Sequence, residues 1–127
     1  MVARPALHAI VFTAAVLSAN LAQARIALAD ASPANGSEVA SADRVELRFS
    51  ERLIPGASTA QLTMTAMPGM REHPPMGMAV TVSTGRDGKT LRIVADQPLP
   101  HGTYRVDWRA VGAGEKPVTG TVGFSVR

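Results

Sequence analysis

Apolar and polar residues alternate with period two along most of the chain after residue 44. Val45, Leu47 and Phe49 alternate with Glu46, Arg48 and Ser50, and Ala60, Leu62, Met64 and Ala66 with Gln61, Thr63 and Thr65. The pattern returns at Val80 and Val82, at Leu91 and Ile93, at Tyr104, Val106, Trp108 and Ala110, and at Val122, Phe124 and Val126. Each run suits a strand with one buried and one wet face, because successive side chains of a strand point to opposite sides. Ile26 and Leu28 begin a further candidate strand. Turn residues separate the runs: Ser32-Pro-Ala-Asn-Gly36, Pro55-Gly56, Gly85-Arg-Asp-Gly88 and Pro98-Leu-Pro-His-Gly102. Arg86-Asp-Gly-Lys89, between two strands, is a hairpin signal. About seven short strands and no helical periodicity predict an all-β domain, an antiparallel Greek-key β-sandwich of immunoglobulin or cupredoxin type. Phe49, Tyr104, Val106, Trp108 and Phe124 are its expected core.

The first 24 residues follow another rule. They hold no acidic residue and one Arg, Arg4, followed by the apolar run Ala9–Leu17 and the small-x-small sequence Ala22-Gln-Ala24. That is the layout of a cleaved secretory signal peptide, and its apolar core is short for a bilayer span of roughly 20 residues. The expected organisation is a signal peptide at 1–24 and one exported domain at 25–127.

Composition narrows the chemistry. The chain has no Cys, which removes disulfides, zinc–thiolate sites, iron–sulfur clusters and a cysteine nucleophile. The net charge is only +3, with scattered basic residues and few aromatics, so no nucleic-acid footprint is present. No nucleophile–base pair or paired carboxylates stand out, which argues against an enzyme.

Methionine is the unusual residue. Of six in the chain, all but Met1 fall between Met64 and Met78, in Met64-Thr-Ala-Met67-Pro-Gly-Met70-Arg-Glu-His73-Pro-Pro-Met76-Gly-Met78. The segment is expected to leave a strand and continue as a Pro/Gly-rich loop. A loop buries few side chains, since its backbone polar groups need water. Thioether sulfur is soft and uncharged, favours Cu(I), and stays a ligand where thiolates would oxidise. Met64, Met67, Met70, His73, Met76 and Met78 are therefore the candidate ligands of a Cu(I) site. Met64 shares a face with Leu62 and is in part a core candidate. The alternative function is a non-catalytic sandwich module using the methionines as an adaptable partner-binding patch. His101, in the Pro-Leu-Pro-His-Gly turn, reads as a solvated loop histidine.

Several segments resemble the CopC family of periplasmic copper-resistance proteins: Ser32-Pro-Ala34, Val45-Glu-Leu-Arg-Phe-Ser-Glu51, Met64–Met70, Gly102-Thr-Tyr-Arg-Val-Asp-Trp-Arg-Ala-Val111 and Gly120–Val126. The resemblance implies a β-sandwich copper carrier acting in copper resistance. It implies as partners an inner-membrane CopD-type protein or a periplasmic multicopper oxidase. Many family members add a Cu(II) site made by an N-terminal His, a carboxylate after the first long strand, and an Asp-x-His pair. Here those positions hold Arg25, Glu51, and Gly114 and Lys116 around Glu115. Only the carboxylate remains, and guanidinium and ammonium groups cannot ligate. The expectation is Cu(I) binding with weak or absent Cu(II) binding.

Overall fold

The computed structural model describes residues 25–67, 69, 74–114 and 116–127. The signal-peptide expectation, at 1–24, lies outside them. Nine strands form among the described residues, in order β1 (Leu28–Ser32), β2 (Ser37–Val39), β3 (Arg44–Phe49), β4 (Thr59–Ala66), β5 (Met76–Met78), β6 (Val80–Thr84), β7 (Thr90–Ala95), β8 (Gly102–Ala110) and β9 (Val118–Val126). One sheet runs β1-β3-β7-β6 and the other β2-β9-β8-β4-β5.

Every alternating run became a strand, with its apolar face inside. Val45, Leu47 and Phe49, Leu91 and Ile93, Tyr104, Val106, Trp108 and Ala110, and Val122, Phe124 and Val126 are all buried. The two sheets meet through these side chains. Phe49 of the first sheet meets Trp108 of the second edge to face, with ring centroids 5.0 Å apart. Tyr104 stacks on Phe124 at 5.5 Å, and its hydroxyl donates to the Pro100 carbonyl at 2.6 Å. A buried phenol keeps its polar end satisfied in this way.

The count exceeds seven because two three-residue strands carry no alternation long enough to read. One is β2, which pairs in parallel with β9, so the second sheet is mixed rather than purely antiparallel. The approach to β2 is pinned by Asn35, whose Oδ1 accepts the Gly123 amide at 2.8 Å. The Gly36 amide donates to the Gly123 carbonyl at 2.6 Å. The other is β5, in the segment expected to be loop.

The hairpin between β6 and β7 follows its sequence signal. Asp87 Oδ1 accepts the amides of Lys89 and Thr90 at 2.9 and 3.0 Å, and Oδ2 accepts the Thr90 hydroxyl at 2.9 Å. The Lys89 amide first, and then the Thr90 hydroxyl, hold its carboxyl below the usual aspartate value.

Candidate metal centre

The methionine segment starts inside the sandwich. β4 continues to Ala66, so Met64 sits at an inward position and is 2% exposed. β5 pairs antiparallel with β4, with Met76 opposite Met64 and Met78 opposite Leu62. Residues directly opposite on an antiparallel pair share a face, so the three sulfurs belong to the inner side of one sheet edge. Their exposure differs with position. Met78 packs against the core, whereas Met76 is 52% exposed. Met67 follows a register shift between Met64 and Ala66 and packs against the core from the strand end.

This corrects the reading of the segment as a strand end followed by loop. Its two ends are paired strand: Met64 and Met78 turn toward the core on the inner face of the β4–β5 ladder, and Met67 packs against the core from beyond the end of β4. Met70 and His73 lie outside the described residues.

The start of β8 is brought against the end of β4. A Cβ on Gly102 would stand 2.7 Å from the Ala66 carbonyl oxygen and 3.3 Å from Met64 Cε, so only glycine permits this approach. Beside it lies a cleft of about 590 Å³ lined by Glu38, Met67, His101, Thr103 and Arg127, among others. His101 is exposed, and its Nδ1 is bonded to the Arg127 backbone oxygen. It is solvated, as the Pro-Leu-Pro-His-Gly turn suggested, and one ring nitrogen is nonetheless engaged. A sequence signal existed. Once β8 and β9 pair antiparallel with Gly102 opposite Val126, the residue before β8 falls opposite the residue after β9, which is Arg127.

The other candidate positions lie at the opposite end. Ser50 Oγ accepts the Ala27 amide at 2.9 Å and is 3.5 Å from the Arg25 carbonyl, which holds Arg25 near the start of the Glu51 turn. Leu53 bridges Gly112 and the Ile54 amide donates to the Val111 carbonyl at 2.8 Å, which brings the turn at Gly112–Gly114 to the same end. Arg25, Glu51, Gly114 and Lys116 are all exposed. The ion pairs among the described residues are Arg92–Glu46 and Arg105–Asp107, so no salt bridge from Lys116 closes over Glu51. No three His, Cys, Asp or Glu side chains gather around a common point among the described residues.

The CopC domain model matches residues 28–127. The chain belongs to the CopC family. Copper resistance protein C of Pseudomonas syringae pv. tomato is 50% identical over 116 residues, covering 91% of each chain. Copper resistance protein C of Escherichia coli is 47% identical over 95 residues, covering 75% of each. Among solved structures, the chain resembles PcoC, a methionine-rich copper resistance protein from Escherichia coli. The TM-score is 0.76 and the identity 43%, over 82% of this chain and all of that one. CopC from Methylosinus trichosporium OB3b matches with TM-score 0.66 and 25% identity, over 80% of this chain and 93% of that one. Membership in CopC ties the chain to copper resistance and confirms the β-sandwich.

Proposed function

We propose that this CopC protein is a periplasmic copper carrier that binds Cu(I) through its methionine segment and passes the ion to a partner. The signal peptide at 1–24 would be removed after Ala24 on export. The ligands are drawn from Met64, Met67, Met70, His73, Met76 and Met78. The observation that carries the reading is the β4–β5 register. It gathers Met64, Met76 and Met78 on one edge, with Met67 at the adjoining strand end. Sulfurs so clustered offer a soft donor set that hard and borderline ions do not prefer. Neutral thioethers also suit release. An edge site with Met76 half-exposed lets an incoming ligand replace one sulfur at a time. A CopD-type membrane protein or a multicopper oxidase would be the receiver.

Cu(I) competition with a chromogenic chelator tests the reading. Replacing Met67 and Met70 together by Leu should weaken Cu(I) binding at least tenfold. Leu preserves apolar volume at Met67, which packs against the core, so the fold should persist with a stability cost below about 1.5 kcal/mol. Wild-type affinity in the double variant would overturn the proposal.

A further inference from the structure

The cleft at the junction of β4 and β8 holds an imidazole that the methionine segment does not contain. The Arg127 backbone oxygen bonded to His101 Nδ1 can only accept. In the neutral ring the proton therefore sits on Nδ1, and the lone pair is left on Nε2. A histidine oriented through one nitrogen by a backbone oxygen is prepared to ligate through the other. The ring is exposed, and it lines the same cleft as Met67, with Glu38 and Arg127 also on the wall. Beneath them, Gly102 has no side chain to separate the cleft from Met64 Cε.

We propose that His101 is a copper ligand supplied by the sandwich scaffold, its Nε2 and the Met67 sulfur forming a nitrogen–sulfur station for Cu(I) in this cleft. The inference rests on the Cu(I) reading above and adds a ligand from outside the methionine segment. The donor chemistry selects the ion. Imidazole with thioether is a soft-to-borderline pair. No described cluster of three His, Asp or Glu exists to hold a harder cation. Glu38 and Arg127 line the wall with opposite charges, so the donor atoms rather than the charge of the cleft select the ion. The scaffold position matters for transfer. Met67 belongs both to the segment and to the cleft, so an ion can exchange segment sulfurs while His101 retains it.

The test is copper K-edge X-ray absorption on the Cu(I)-loaded protein in three forms: wild type, His73→Ala, and His73→Ala with His101→Asn. Asn at 101 keeps a donor for the Arg127 oxygen but lacks the Nε2 ligand, which separates a structural role from ligation. The His73→Ala protein should retain imidazole scattering beside sulfur, and the double variant should show less of it. His101→Asn alone should lower Cu(I) affinity about tenfold or more and leave the copper-free melting temperature unchanged. Equal imidazole scattering in the His73→Ala and double variants, or wild-type affinity in His101→Asn, would overturn the role of His101 while leaving sulfur binding intact. A wild-type protein that takes up no Cu(I) would overturn both readings.

Discussion

Tyr104 and Gly120 show how single residues hold this core. Tyr104 is the only tyrosine in the chain and is 1% exposed. Burial pushes its phenol above the ordinary value of 10.0, because the charged form loses water. A group raised in the folded state stabilises the fold fully below its unfolded pKa, and that contribution fades as pH rises through the folded pKa. Tyrosinate absorbance should therefore appear only above pH 10, together with loss of the near-ultraviolet dichroism of Trp108. Ionisation at pH 10 in a folded protein would contradict the burial. Gly120 lies opposite Trp108 on β9, and a Cβ there would stand 2.4 Å from the indole Cζ2. Gly120→Ala should destabilise the protein by about 1–3 kcal/mol, the usual cost of overpacking, as read by chemical denaturation. Unchanged stability would mean that the indole has room to move. The sequence hints at this pair, since Gly120 occupies an inward place in the alternation where its neighbours carry Val122 and Phe124. It cannot say which large side chain fills the gap, because that depends on strand register.

At the level of elements, legibility followed strand length. β3, β4, β7, β8 and β9 have six to nine residues each, long enough for a period of two to declare itself. β2 and β5 have three, too few for a pattern. β2 depends on a clamp that Asn35 and Gly36 make with Gly123, a contact remote in sequence. The methionine segment was legible as chemistry but not as structure. Its Pro and Gly residues spoke for a loop, while the pairing of β5 with β4 draws its end back into a sheet. That pairing predicts a division of labour among the sulfurs. Met76→Leu, at the exposed edge position, should leave stability within about 0.5 kcal/mol of wild type. Met64→Ala, in the core, should cost about 2–5 kcal/mol. Denaturant unfolding of the copper-free variants reads both costs, and similar values at both positions would contradict the difference in burial between Met64 and Met76.

For the whole molecule, the decisive feature is that the described methionines and the Arg25–Glu51 turn sit at opposite ends of the sandwich. β8 begins beside Met67 and ends near the turn at Gly112–Gly114, and its nine residues span about 27 Å. Changes at the Arg25–Glu51 end should therefore leave Cu(I) binding untouched. Wild type should show no tight Cu(II) signal in electron paramagnetic resonance. A variant carrying Arg25→His, Gly114→Asp and Lys116→His should gain one. Gly114 has φ +71 with open space around a Cβ, and Asp is among the residues that visit this left-handed region most readily. A stoichiometric, chelator-resistant Cu(II) signal in wild type would show that other ligands complete a site there.

The same short strands that escaped the sequence also finish the five-stranded sheet on both sides. β2 and β5 are its outermost members, and neither presents more than three residues of ladder. A sheet edge is a template on which another copy can add a strand, and short edges give it little to hold. A chain without cysteine has no covalent staple to keep its strands from opening and pairing between copies. Its protection against clumping is built into the rim of the sheet instead, where the longest strands are kept in the middle.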